Sequence, residues 1–171
     1  MTAEERKAWE RKQRETRIVD IAQEVFFEFG YENTTVLQIA KSAGYNKRTI
    51  YLYFKDKEEI FLAVVLRGLK ILLQSLQDVV ENGKGERNHL RKLGQGFFNF
   101  SLDHPEFLRL IMIFEANTCI YYGDHANAGE KSEYHKACQE TTDAIADLMT
   151  STIQKAKENN IIVNKKKPIK T

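Results

Sequence analysis

Apolar residues recur every three or four positions along most of this 171-residue chain. This spacing puts them on one face of an α-helix, which turns once every ~3.6 residues. No segment alternates convincingly between apolar and polar residues as a half-buried strand does. Only 2 residues are proline, and hydrophobic residues make up 42% of the sequence, which is enough for a core. The pattern therefore predicts an all-α fold.

The N-terminal part contains three helical segments separated by start and stop signals. The first covers residues 18–29, could continue back through the charged N-terminus, and stops at Gly30. The second, residues 36–43, follows Thr34 or Thr35 as its cap and ends at Gly44. The third is short and begins after Asn46 as its cap. Two short helices joined by a glycine-bearing turn form a helix-turn-helix.

The second helix of a helix-turn-helix lies in the major groove of DNA, so its exposed face is the candidate DNA-contacting surface. Ile50 and Phe54 lie four residues apart and are expected to face the core. Arg48 can pair with guanine, and Thr49 can contact a base or a thymine methyl group, whereas tyrosine and lysine suit phosphates. The candidates on this face and just after it are Lys47, Arg48, Thr49, Tyr51, Tyr53, Lys55 and Lys57.

Charge is unevenly distributed along the chain, although the formal net charge is only +2. Residues 41–57 carry five basic side chains and one acidic, residues 58–154 nine basic and fourteen acidic, and residues 155–171 six basic and one acidic. A local cluster of one sign indicates an anionic partner at that place. Double-stranded DNA is one such partner. The alternative is a helical interaction module whose basic patch binds an acidic protein.

The same features also have interpretations that need no DNA. A charged helix face with two tyrosines is typical of a solvated surface, and Tyr51 could be partly buried with only its hydroxyl exposed. Basic residues near the N-terminus could form an arm along DNA, but the glutamates between them indicate an ordinary solvated helix. The basic residues of this arm are Arg11, Lys12, Arg14 and Arg17.

The remaining sequence, residues 56–171, predicts a second helical domain. Asp56 followed by Glu59 forms a capping-box pattern at the start of a long fourth helix. After a glycine-bearing break and a fifth helix, Pro105 suits the first position of a sixth. A last long helix is expected over about residues 131–157, followed by a basic tail to which no structure is assigned.

The stretch TTVLQIAKSAGYNKRTIYLYFKDKEEIFLAVV, residues 34–65, resembles the DNA-binding signature of TetR-type transcriptional regulators. That signature has a threonine-rich entry, an IA…AG helix, a TIYxYFxxKEEL recognition helix and a long fourth helix. The resemblance also includes AxxxFxxxGY in the first helix and extends over about residues 18–66. The matching positions are Thr34, Thr35, Ile39, Ala40, Ala43, Gly44, Thr49, Tyr51, Tyr53, Phe54, Lys57 and Glu58.

The resemblance implies a homodimeric regulator, usually a repressor, that a small-molecule effector releases from a palindromic operator. It implies a DNA-binding domain over residues 1–55, in which Thr34 and Thr35 join the contacts, and a ligand-binding and dimerisation domain over residues 56–171. Members of the family usually have two more long helices in their dimer interface. The second domain is short by comparison, so we expect either a truncated product or a dimer that uses the sixth and the last helix.

Large apolar side chains in the second domain are candidates for a pocket that binds a hydrophobic effector. A stripe of such residues at helical spacing is more often part of the core. The candidates are Phe97, Phe98, Phe107, Met112, Tyr121 and Tyr122.

Other kinds of chemistry have little support in the sequence. His135 and Cys138 share a helix face, but no second pair has matching metal-ligand spacing, and a thiol sensor at Cys119 or Cys138 has only Lys136 as a basic neighbour. No catalytic motif or glycine-rich phosphate loop is present, so neither an enzyme nor a cofactor is expected. The few cysteines, the short apolar runs and the charged N-terminus predict a cytoplasmic protein with no membrane partner.

Overall fold

A computed structural model describes residues 1–81, 86–124 and 132–158, without the side chains of residues 86–88 and 117–124. The described residues form helices with short connections, and none of them lies in a β-strand. The predicted all-α fold is confirmed. The helices are α1 (Ala3–Asn33), α2 (Val36–Ala43), α3 (Lys47–Ile50), α4 (Lys57–Glu81), α5 (Glu86–Asp103), α6 (Pro105–Asp124) and α7 (Glu133–Glu158).

α1 is longer than the first predicted segment because it continues back through the charged N-terminus. The Thr2 hydroxyl accepts a hydrogen bond from the Glu5 N–H at 3.1 Å, and the Glu5 carboxylate accepts one from the Thr2 N–H at 2.7 Å. This capping box satisfies two donors that the first helical turn leaves without partners. At the other end Gly30, with φ of 77° and ψ of 162°, interrupts the regular helix as predicted.

α4 lies at the centre of the described structure and is buried over much of its length, from Ile60 to Leu76. It packs against α1, α5, α6 and α7. Gly68 permits a close approach to α6, because a Cβ atom at this position would lie 2.6 Å from the Cδ1 atom of Phe107. The Phe107 ring is buried there and meets Phe27 of α1 edge-on, at a centroid distance of 5.0 Å.

One hydrophobic core runs through both predicted domains, from Ile18 in α1 to Cys138 in α7. Polar contacts join the same parts. The Arg67 guanidinium of α4 pairs with the Asp20 carboxylate of α1 at 2.6 Å and donates to the Gln23 side chain at 3.3 Å. The division between the first three helices and the rest stays a prediction, since the core is continuous across it.

The later helices follow the predicted order. α6 begins at Pro105, where a missing N–H costs no helical hydrogen bond, and α7 lies close to its predicted range. The predicted basic tail, from residue 159 onward, lies outside the described residues. Within the part of the chain that the structure describes, no helix combines the length and the apolar character needed to cross a membrane.

Cys138 is buried in the core, and its thiol donates to the Leu62 carbonyl oxygen at 3.3 Å. Burial, with a smaller contribution from the Glu115 carboxylate, raises the pKa of the Cys138 thiol to about 12. Because the thiolate is the reactive form, this environment is a poor one for a thiol sensor at Cys138. The side chain of Cys119 lies outside the described residues. Among the described side chains, no three or more His, Cys, Asp or Glu are placed to hold a metal ion.

We expect the protein to lose stability in alkali through Cys138. The unfolded thiol ionises near its ordinary pKa of 9.0, whereas the folded thiol keeps its proton to about pH 12, so the free energy of unfolding falls as the pH rises between these values. The limiting slope is about 1.4 kcal/mol per pH unit. When the free energy of unfolding is measured in urea between about pH 8 and pH 11, its decrease with pH should be less steep for Cys138→Ala than for the wild type. Equal slopes would contradict this account of Cys138.

Candidate nucleic-acid interface

Local hydrogen bonds fix the two short helices of the helix-turn-helix. At the start of α2 the Thr35 hydroxyl accepts from the Gln38 N–H at 3.2 Å, and the Gln38 side chain accepts from the Thr35 N–H at 2.7 Å. α2 ends at Gly44, whose φ of 71° is in the left-handed region that favours glycine. Asn46 then caps α3, because its side chain accepts from the Thr49 N–H at 2.8 Å. The predicted stop at Gly44 and the predicted cap at Asn46 are confirmed.

The recognition segment, defined as residues 45–54, comprises α3 and its two flanks. Ile50 and Phe54 anchor it, since both side chains are at most 1% exposed. Their predicted inward orientation is confirmed. Because these two side chains face the core, α3 leaves Lys47 and Arg48 exposed to solvent. The segment thus presents two adjacent positive charges from a rigidly held turn.

Most of the predicted DNA contacts are accessible around this segment. Tyr51 is 45% exposed, so more of its side chain than the hydroxyl meets solvent. The Lys47 ammonium lies 5.6 Å from the Tyr51 ring centroid, which holds the positive charge beside the aromatic ring. The Thr49 hydroxyl donates to the Asn46 side-chain oxygen at 3.1 Å. Thr49 is partly buried, and the exposed members of the predicted set are Thr35, Lys47, Arg48, Tyr51 and Lys55.

The prediction that the Thr34 side chain contacts DNA is wrong. Its side chain is 1% exposed, and its hydroxyl donates to the Gly30 carbonyl oxygen at 2.7 Å. The hydroxyl satisfies a carbonyl at the end of α1, where the last turn of a helix lacks N–H partners. The Thr34 side chain therefore stabilises the turn between α1 and α2 and is not available to DNA.

Tyr53 and Lys57 have protein partners that the sequence did not indicate. The Tyr53 ring is partly buried, and the Arg11 guanidinium lies 5.0 Å from its centroid. The Lys57 ammonium donates to the Tyr31 carbonyl oxygen at 3.0 Å and lies 4.3 Å from the Tyr31 ring centroid. Lys57 therefore ties the start of α4 to the end of α1. A phosphate contact of Tyr53 or Lys57 stays a prediction.

Two exposed residues around the recognition segment were not among the DNA contacts predicted from the sequence. Leu52 and Leu37 are large apolar side chains that are about half exposed or more. Such side chains can contact thymine methyl groups. Arg11 reaches the same area, donating through Nη2 to the Leu52 carbonyl oxygen at 2.9 Å. No local pattern marks this contact, because its partners lie 41 residues apart in the sequence.

Those residues of the predicted effector-pocket lining whose side chains the structure describes are not gathered in one cavity. Phe107 packs in the core against Gly68 and has no free face for a ligand. The exposed members of the predicted set are Phe97, Phe98 and Met112. The side chains of Tyr121 and Tyr122 lie outside the described residues.

A shallow depression of about 420 Å³ lies along α6 near its junction with α5. Met112 is the member of the predicted set that borders it. Its lining is formed by Ser101, Pro105, Leu108, Arg109, Met112, Ile113 and Ala116. This depression is open to the surface and does not enclose a ligand as a preformed pocket would.

The helix-turn-helix and its surroundings match a known family. Residues 18–64 match the model for bacterial regulatory proteins of the tetR family. This range contains the capped α2, the left-handed Gly44, α3 and the start of α4. Residues 18–64 therefore form an N-terminal domain of the TetR family. The resemblance seen in the sequence is thus confirmed.

Two curated relatives and one solved structure illustrate the TetR-family likeness. The HTH-type transcriptional activator FasR of Mycolicibacterium smegmatis is 30% identical over 140 residues, 82% of this chain and 60% of the relative. The fatty acid metabolism regulator protein of Bacillus subtilis is 33% identical over 89 residues, 52% of this chain and 46% of the relative. A putative fatty acid metabolism regulator of Clostridium perfringens aligns with a TM-score of 0.60 and 26% identity, over 86% of this chain and 73% of that one. The chain therefore spans about half to three fifths of the length of these curated relatives.

Proposed function

We propose that this TetR-family chain is a sequence-specific DNA-binding transcriptional regulator of the cytoplasm. The observation that carries the proposal is the exposed pair Lys47 and Arg48 on a helix anchored by buried Ile50 and Phe54. An anchored helix keeps its exposed groups in a fixed position, as reading base edges in the major groove requires.

The contacts divide into two kinds. Arg48 presents a planar guanidinium, which can donate two hydrogen bonds to a guanine and so distinguish it from other bases. Lys47, Tyr51 and Lys55 suit phosphates, which fix the register of a protein on DNA and supply binding that does not depend on sequence. Only the first kind gives base preference.

The proposal includes a homodimer on a palindromic operator. A four-residue recognition helix makes few contacts, so one copy neutralises few phosphates and binds weakly. Two copies that read half-sites about 34–36 Å apart double the contact set along one face of the duplex. This symmetry predicts an inverted repeat as the preferred DNA.

The proposal also includes release from the operator by a hydrophobic small molecule. A relative and a structural neighbour are named as fatty acid metabolism regulators, which supports an effector that carries a fatty acyl chain. Such a ligand acts only to the extent that it binds the conformation without DNA better than the conformation with DNA. Addition of a long-chain fatty acid should then lower operator affinity, whereas acetate, which has the carboxylate but no long apolar chain, should not.

The function is tested by selecting fragmented genomic DNA on the purified protein at about 0.15 M salt and sequencing the bound pool. We expect enrichment of an inverted repeat. A pool without a shared motif would contradict the proposal and favour the acidic-protein alternative, in which the basic patch binds nucleic acid without base preference.

A further inference from the structure

We propose that Arg11 and Arg17 of α1 brace the recognition segment at its two ends and thereby set the affinity for operator DNA. This inference rests on the proposed DNA-binding function. It assigns a role to the N-terminal extension of α1, residues 3–17, which precedes the range that matches the family model. The two arginines are called the brace below.

The first contact of the brace is at the C-terminal end of the recognition segment. Arg11 donates through Nη2 to the Leu52 carbonyl oxygen at 2.9 Å, and its guanidinium lies 5.0 Å from the centroid of the Tyr53 ring. Carbonyls just after a short helix lack helical N–H partners and carry partial negative charge. The guanidinium satisfies one such carbonyl and at the same time covers the neighbouring ring.

The second contact is at the N-terminal end of the recognition segment. The Arg17 guanidinium lies 5.9 Å from the centroid of the Tyr45 ring. The Tyr45 N–H in turn donates to the Ala40 carbonyl oxygen at 2.8 Å, which fixes the turn between α2 and α3. Arg11 and Arg17 are six residues apart, or about 9 Å along a helix. One stretch of α1 therefore touches both flanks of α3.

The extension that carries the brace is itself held in place. Its first turn is closed by the capping box of Thr2 and Glu5. Further along, the Glu15 carboxylate accepts a hydrogen bond from the Tyr134 hydroxyl of α7 and pairs with the Lys12 ammonium at 3.3 Å. The extension is therefore a support fixed to the rest of the molecule.

The recognition segment needs such a support because α3 has only four residues. A helix of this length has almost no stability of its own. The buried anchors Ile50 and Phe54 hold its inner face, and the brace holds its flanks. Loss of the brace should leave the fold intact but allow the segment to move away from the geometry that reads bases.

The test compares Arg11→Ala with Arg14→Ala in the full chain. Arg14 lies on the same exposed part of α1, and within the described residues it has no hydrogen bond or ring contact with the recognition segment. Affinity is measured for the operator selected by the wild type and for a shuffled duplex, over a range of salt concentrations. Circular dichroism melting shows whether each variant is folded.

We expect Arg11→Ala to weaken operator binding about tenfold, as loss of one charge-assisted hydrogen bond would. Binding to the shuffled duplex and the salt dependence of log K should match Arg14→Ala. Arg11→Lys, which keeps one donor and the charge, should recover part of the affinity. The double variant Arg11→Ala/Arg17→Ala should lose more than either single variant.

Two results would overturn the brace. Operator binding equal to that of Arg14→Ala would show that the contacts have no role in recognition. The slope of log K against log salt concentration could instead become shallower by about 0.9, with operator and shuffled DNA bound equally less tightly. That result would show that Arg11 contacts a phosphate directly. A wild type that selects no operator would instead contradict the proposed function, so the two failures are distinguishable.

Discussion

Replacement of Phe54 by alanine is expected to lower the free energy of unfolding by about 3 to 5 kcal/mol. The Phe54 side chain is 1% exposed and belongs to the common core, and its ring stacks on Tyr134 of α7 at a centroid distance of 6.0 Å. Alanine would remove the ring and leave a cavity between the recognition segment and α7. Urea unfolding of the full chain, followed by circular dichroism, measures the change.

Tyr51→Ala is the matched control for this prediction. Tyr51 is an aromatic residue of the same segment, but it is 45% exposed, so its loss should change the free energy of unfolding by about 0.5 to 1 kcal/mol at most. If Phe54→Ala were no more destabilising than Tyr51→Ala, Phe54 would not anchor the recognition segment.

The double variant Lys47→Ala/Arg48→Ala is expected to bind its operator at least about 100-fold more weakly than the wild type. Both side chains are exposed on α3, so the variant should unfold at the wild-type urea concentration. The loss combines a phosphate contact with a base contact, because Lys47 and Arg48 differ in the group each can bind. Fluorescence anisotropy with a labelled operator gives the affinity.

An adjacent basic pair on another helix provides the control for charge. Arg91→Ala/Lys92→Ala also removes two positive charges, but from α5, whose main contacts are with α4, α6 and α7. This pair should alter operator binding only through the weak long-range field, which salt screens within about 10 Å. Equal losses in both double variants would mean that net charge, rather than the position of α3, controls binding.

The helix boundaries could be predicted because their signals are local. Gly44 and Asn46 stop and start helices through their own backbone and side-chain hydrogen bonds, and these involve residues within a few positions. The sequence also contains the signal that decides whether Thr34 or Thr35 caps α2. Only Thr35 is followed three residues later by glutamine, Gln38, as a capping box requires.

Contacts between distant residues could not be predicted in this way. Helical spacing shows which face of a helix is apolar but not which element covers it. Lys57 was expected at a phosphate, yet its nearest partner is Tyr31, 26 residues earlier. Arg11 was considered as part of an arm along DNA. Its observed partner is the Leu52 carbonyl oxygen, and because every residue has such a carbonyl, the sequence does not indicate this contact.

The positions of the residues predicted to line the effector pocket could not be derived from the sequence for a related reason. Large apolar residues at helical spacing can line a cavity, fill a core or lie at the surface, and composition does not separate these outcomes. Gly68 allows α6 to approach α4 so closely that Phe107 becomes core. Phe98 lies off the main apolar stripe of α5 and is exposed at 55%.

The stacking of Phe54 on Tyr134 determines whether the helix-turn-helix can be exchanged between related chains. A transplant of residues 1–55 onto another regulatory domain would separate Phe54 from Tyr134 and would separate Phe26 from Phe61, whose rings meet edge-on at a centroid distance of 6.0 Å. The transplanted piece would arrive with an uncovered apolar face. A transfer without repacking would have to include the first half of α4. The recipient would also need a helix with an aromatic residue in the position of Tyr134.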